Sequence, residues 1–170
     1  MTQAIPQSNE VFISRRAMAL LRVTLGVIIL ATWWDNLNKG IYTAEGLVGL
    51  FNWLFDPDNG NASALTFYKV LLDATILQIP GAFAVFQMIA ELLMGLGLLV
   101  GGLTRLAGAV TALFFFNLLL AYFGGHEWIW TYVLLTMSAL VVALTYAGRE
   151  WGVDQVLVKR LGEPPIRFLW

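Results

Sequence analysis

The chain contains no cysteine and a single histidine, His126. Disulfides are therefore excluded, and little is left to hold a metal. Bis-histidine haem, thiolate iron–sulfur clusters and the usual zinc sets all need more ligands than this chain has. Charge is scarce as well: Lys, Arg, Asp and Glu make up 12% of the residues, against about 25% in a soluble domain. The net charge of −1 matters less than where the charges fall, and no nucleic-acid partner is expected.

Apolar residues fill the space. They make up 59% of the 170 residues, with a mean hydropathy of +0.74, so the chain reads as an integral membrane protein in contact with membrane lipid. Four runs, residues 17–36, 81–101, 104–124 and 128–147, are each about 20 residues long. At 1.5 Å per residue each matches a ~30 Å hydrocarbon core. Ser14-Arg15-Arg16 ahead of the first run is similar to a twin-arginine export signal. However, that run is too long for a signal segment and ends in Trp33-Trp34-Asp35 without a small-residue cleavage site, so it reads as a retained helix.

Lysine and arginine set the expected orientation. Arg15, Arg16, Arg22, Arg105, Arg149, Lys159, Arg160 and Arg167 fall on one side, and Lys39 and Lys69 on the other. The positive-inside rule then puts both termini in the cytoplasm and the protein in the inner, cytoplasmic membrane as a multi-pass bundle. Trp33, Trp34, Tyr122, Trp128 and Trp130 suit the outer aromatic belt, with Tyr146 and Trp151 at the inner one. Residues 45–55 and 64–79 carry Leu47, Leu50, Phe51 and Leu54, then Leu65, Tyr68, Leu72 and Ile76, at helical spacing. Both predict amphipathic extracytoplasmic helices. Residues 56–60 are a turn signal, and Asn61-Ala62-Ser63 is a sequon of a kind common by chance.

Small residues repeat at four-residue spacing at Gly97 and Gly101, Gly108 and Ala112, and Ala139, Ala143 and Ala147, which predicts close helix packing in lipid. Residues 155–161 read as a short interfacial helix. The expected fold is all-α: one membrane domain over residues 1–170, a four-helix bundle with no internal repeat.

Glu91 lies in the middle of the second run, where an ionised group costs at least ~2.5–3.5 kcal/mol and needs a partner or a purpose. The expected partner is Arg22, the basic residue inside another run. Two readings stand side by side. The pair fastens two helices, with Arg22 partly snorkelling, or Glu91 accepts protons or binds a ligand headgroup. Gln87 shares the Glu91 helix face, while Asn117 and Thr136 fall at similar depth. Together they line a polar pocket in the outer half of the bundle, or they are interhelical contacts worth ~0.6 kcal/mol each. His126 and Glu127, opposite Asp35, are either a proton relay at the mouth or plain loop residues. Phe114-Phe115-Phe116 either flanks a flat ring or packs against lipid.

Three segments carry a resemblance. They are Arg22 with Gly26 and Trp34-Asp35-Asn36-Leu37-Asn38-Lys39-Gly40, then the stretch from Ala90-Glu91 through Gly101-Gly102-Leu103-Thr104-Arg105, then Ala147-Gly148-Arg149-Glu150-Trp151-Gly152-Val153-Asp154. The chain resembles the DoxX-like superfamily of small four-helix membrane proteins, nearest the DoxD-like small subunit of thiosulfate:quinone oxidoreductase. That resemblance implies a subunit of a quinone-linked oxidoreductase, with further protein subunits as partners and Glu91 as the proton-handling group. Quinone is the implied cofactor, contacted by Arg22, Gln87 and Asn117, and any larger redox group belongs to a partner. The competing expectation is a non-catalytic accessory or assembly subunit of a larger respiratory or photosynthetic complex, with the polar residues serving as structure.

The absence of native cysteine makes topology directly testable. Cysteines introduced at Ser8 and Gln155 should react with an impermeant maleimide from the cytoplasmic side only, and one at Asn61 from the opposite side only. Labelling of residue 155 from outside would overturn the four-span arrangement.

Overall fold

A bilayer core supplies no water to satisfy backbone N–H and C=O groups, so apolar segments must bond within themselves as helices. The computed structural model describes residues 8–58, 65–125, 127–164, 166 and 169, with side chains from residue 15 onward. Among these residues the regular structure is entirely helical: α1 Ser8–Asn38, α2 Ala44–Leu54, α3 Thr66–Ala74, α4 Pro80–Val100, α5 Thr104–Ala121, α6 Trp130–Leu144 and α7 Val153–Leu161. The sequon and His126 lie outside the described residues.

Among the described residues three helices are long and apolar enough to cross a membrane: α1 over Arg15–Asn38, α4, and α5. The fourth run is shorter than the sequence predicts. α6 has 15 residues, about 22 Å of helix. It stops where Thr145 turns extended (φ −105°, ψ 168°), and a 3₁₀ turn at Ala147–Arg149 follows. That turn brings Gly148 against Thr104 and Asp154 so closely that a Cβ there would collide with both side chains. α6 still runs back along α5. Tyr122 stacks on Tyr132 at one end, with ring centroids 5.3 Å apart, and Arg105 Nε donates to the Ala143 carbonyl at 3.1 Å near the other.

The helices pack as two close pairs, α1 on α4 and α5 on α6. Glycine sets both approaches. A Cβ on Gly26 would lie 2.7 Å from the Leu99 backbone nitrogen, and one on Gly108 would lie 2.9 Å from that of Ala143. Leu25, Ile29, Met94, Leu98, Phe115 and Val142 form the buried core between the pairs. The amphipathic segments fold as helices with their apolar faces inward. α2 buries Leu47 and Leu54, and α3 buries Tyr68 and Leu72, the latter three packing with Ala121 at the end of α5. Thr43 caps α2 by accepting the Gly46 N–H at 3.0 Å. α7 begins two residues before the expected 155–161, because Asp154 belongs to its first turn.

At the α7 end the reversal from α4 to α5 is locked by two buried charged side chains. Asp154 is 1% exposed and accepts the N–H groups of Leu103 at 2.8 Å and Thr104 at 3.0 Å, the free donors that open α5. Its own N–H donates to the Gly101 carbonyl at 2.8 Å. Arg22, fully buried, donates to the carbonyls of Leu98 at 2.6 Å and Leu99 at 3.1 Å, which close α4, and to that of Trp151 at 3.2 Å. Leu103 (φ 50°) and Trp151 (φ 52°) are the two non-glycine residues with positive φ among those described. Both sit in this cluster, where hydrogen bonds hold a conformation that costs roughly 1–2 kcal/mol.

Asp154→Ala strands the buried Thr104 N–H at ~1–3 kcal/mol and the part-buried Leu103 N–H at less, so it should lower unfolding free energy in detergent by about 2–4 kcal/mol. Lys159→Ala, exposed on the same helix, should stay within ~0.5 kcal/mol. Equal effects of the two substitutions would show that Asp154 does not cap α5.

Candidate functional site

Glu91 sits at the midpoint of α4 and is 1% exposed. Three neutral donors converge on it. Gln87, one turn earlier, donates through Nε2 to Oε1 at 2.8 Å. The Tyr42 hydroxyl, from the link between α1 and α2, donates to Oε2 at 2.8 Å, and Asn36 Nδ2, near the end of α1, reaches the same oxygen at 3.4 Å. Trp33 Nε1 donates to the Met88 carbonyl at 3.0 Å and holds α1 against α4 beside them. Burial, then the hydrogen bond and charge of Glu91, push the Tyr42 phenol above its usual range, so it is a protonated donor at ordinary pH.

The expected ion pair between Glu91 and Arg22 is not formed. Arg22 spends its guanidinium on the carbonyls at the α7 end, seven residues further along α4 and about 10 Å away. Side-chain direction explains the separation. Cα–Cβ bonds tilt toward a helix's N-terminus, and α1 and α4 run in opposite senses. Arg22 therefore leans toward the α7 end and Glu91 toward the α2/α3 end. Arg22 is also absent from the cavity described next, so the structure places it in the cap rather than beside Glu91.

A cavity of about 410 Å³ lies between α4 and α5 beneath α2. Its walls are apolar, with Phe51, Phe83, Phe86 and Phe114 among them, and its polar groups are Gln87, Glu91 and Asn117, joined at the margin by Tyr122. It opens sideways where Phe86, Val110 and Leu113 are exposed on the outer faces of the two helices. Asn117 Oδ1 accepts the Tyr68 hydroxyl at 2.6 Å, which fixes the amide and leaves its Nδ2 donor free for the cavity. Burial pushes the Tyr68 phenol up to about 12.

The remaining candidates separate. Thr136 does not line the cavity, because its hydroxyl donates to its own helix at the Tyr132 carbonyl, 2.7 Å away. Phe114 is in the cavity wall, Phe115 in the core, and Phe116 on the outer surface. Glu127 is exposed and accepts from the Tyr132 hydroxyl at 3.4 Å, and Asp35 pairs with Lys39. Sequence reasoning missed Asn36, Tyr42 and Tyr68 as site residues. The two tyrosines lie outside the long apolar runs and Asn36 closes the first of them, so depth along a span gave no signal. Among the described residues no group of three or more His, Asp and Glu gathers as a metal site.

Together these features define a small multi-pass membrane protein with a buried carboxylate at the floor of a cavity open to lipid. The chain belongs to the DoxX family, whose model matches residues 17–127. No solved structure matches the chain.

Because Arg22 and Glu91 have separate partners, Arg22→Leu and Glu91→Leu should be additive in detergent unfolding, with a coupling energy under ~0.5 kcal/mol. Rescue of either substitution by the other would show that the native side chains are paired and overturn the two-cluster arrangement.

Proposed function

We propose that the cavity between α4 and α5 receives a quinone headgroup from the lipid phase, and that the protein is a small membrane subunit of a quinone-linked oxidoreductase, similar to the DoxD-like subunit of thiosulfate:quinone oxidoreductase. The observation that carries this reading is the pairing of a lipid-facing apolar slot with a polar floor of Gln87, Glu91 and Asn117. A volume of about 410 Å³ falls within the ~300–1,000 Å³ of ordinary ligand pockets. Flat rings suit walls of phenylalanine, and the free Nδ2 of Asn117 is a donor for a ring oxygen. A bound quinone supplies two-electron, two-proton chemistry, while electron transfer to or from it needs a redox group on a partner subunit. Gln87 orients the Glu91 carboxyl by its hydrogen bond, and Glu91 is the group able to take up or release a proton there.

The same reading puts the protein in the cytoplasmic membrane with the α7 end inside. Arg15, Arg16, Arg105, Arg149, Lys159 and Arg160 gather at that end, and Lys39 and Lys69 lie toward the other.

In proteoliposomes, decylubiquinone should bind saturably, and Asn117→Leu and Gln87→Leu should each weaken it about tenfold or more by leaving the headgroup unpaired. In a complex isolated with its partners, Glu91→Gln should leave assembly intact and depress quinone turnover. An assembled complex with normal turnover and no quinone bound to this chain would favour the accessory-subunit reading instead.

A further inference from the structure

The surroundings of Glu91 are strongly one-sided. Toward the α7 end, α4 continues with Met94 and Leu98, which pack with Leu25, Ile29, Phe115 and Val142 into a buried apolar core. That core lies between Glu91 and the cap formed by Arg22 and Asp154. Toward the α2/α3 end the side chains are polar and progressively wetter. Glu91 is 1% exposed, Tyr42 is 8% exposed, Asn36 is half-buried, and the Asp35–Lys39 ion pair is on the surface. The Tyr42 hydroxyl donates to Glu91 Oε2 at 2.8 Å, and Asn36 reaches the same carboxylate oxygen.

We propose that Tyr42, positioned beside Asn36, is the relay through which Glu91 exchanges protons with the aqueous face at the α2/α3 end, so that proton-coupled chemistry in the cavity draws on that face and not on the α7 face. The proposal deepens the quinone-site reading and takes from it the need for protons. In one transfer the Tyr42 proton passes to Glu91 Oε2 while the phenol oxygen takes a proton from water on its outer side. The tyrosine stays neutral, and no electron moves. A phenol suits this role because a hydroxyl donates and accepts at once, and burial here keeps Tyr42 protonated.

Other groups around Glu91 do not offer a competing route. α1 contributes Asn36, α4 contributes Gln87, and α5 contributes Asn117 across the cavity, none of which titrates. Tyr122 at the cavity margin stacks on Tyr132, and the Tyr68 phenol behind Asn117 donates to that amide, so neither bonds to Glu91. α2 presents Leu47 and Leu54. Glu45, at the start of α2, is exposed, as are Asp35 and Lys39 beyond Tyr42. Among the described residues no ion pair includes Glu91. Hydrogen-bonded polar side chains leading one way and a close-packed apolar core the other give the proton a direction.

The test uses the full chain in a supported bilayer, tethered in either orientation, with the infrared carbonyl band of the protonated Glu91 carboxyl as readout. The band is assigned by its loss in Glu91→Gln. With the α2/α3 end facing the bulk, a pH jump should be followed promptly, and Tyr42→Phe should slow the response at least tenfold. Thr136→Val, a change of similar size elsewhere in the bundle, should not. With the α7 end facing the bulk the native response should be at least tenfold slower. Equal native rates in the two orientations would overturn the proposal, as would a folded Tyr42→Phe that responds at the native rate. Absence of any protonated Glu91 band between pH 4 and 9 would overturn it too. If Tyr42→Phe does not fold, the comparison of orientations with the native protein decides alone. Decylubiquinone binding is measured in the same bilayers. One-sided exchange without binding refutes the quinone site and leaves the relay, whereas binding with equal rates from both faces refutes the relay alone.

Discussion

The first N–H groups of α5 have no carbonyl behind them, and burial beneath α7 and the Ala147–Arg149 turn keeps water from taking one's place. Asp154, arriving from a helix fifty residues further along the chain, accepts two of them. Arg22 does the complementary work on the last carbonyls of α4. The two charges lie close enough to attract one another across the turn. This cap fixes how α4 hands over to α5, and it accounts for several features that look unrelated in sequence. Gly148 and Gly152 must lack side chains because the cluster occupies the space, and Leu103 and Trp151 accept strained backbone because their polar groups are held. α6 ends early so that its following turn can reach the cap.

The cap also shapes the cavity. α4 and α5 are joined tightly at the α7 end, yet each packs mainly on another partner, α4 on α1 and α5 on α6. Their contact with one another is thin, which leaves a cleft that α2 covers from above. Glu91 lies on the α4 wall of that cleft and is held by donors from α1, the α1–α2 link and α4 itself. The partners of the Glu91 carboxyl are therefore neutral side chains, while Arg22 is committed to the cap.

Read along the chain, the all-helical membrane architecture was legible from composition and run length, since a segment of about 20 apolar residues has few other fates. The amphipathic helices α2 and α3 were legible from periodicity, and Gln87 with Glu91 from their four-residue spacing on one face. Family membership was legible from the Glu91–Arg105 segment, inside the matched residues 17–127, while the Ala147–Asp154 segment lies beyond that match. Those segments prove to be largely parts of the cap and the tight packing around it, so their specificity as motifs reflects the geometry of a turn as much as chemistry at a site.

What the sequence determined by itself is set by local and compositional forces: helix where apolar runs must satisfy their own backbone, a buried carboxylate that has to be accommodated, small residues where backbones approach. What the tertiary structure alone decided is which partners each buried polar group meets. Arg22 and Glu91 look matched because they are the opposite charges inside two neighbouring spans. Antiparallel helices tilt their side chains in opposite directions, so one reaches the α7 end and the other the α2/α3 end. Asp154, Tyr42 and Tyr68 come from outside the spans, and nothing in a linear reading sets how a link or a short helix folds back. Their positions follow from long-range packing, where a buried hydrogen bond left unmade costs more than the strain of making it.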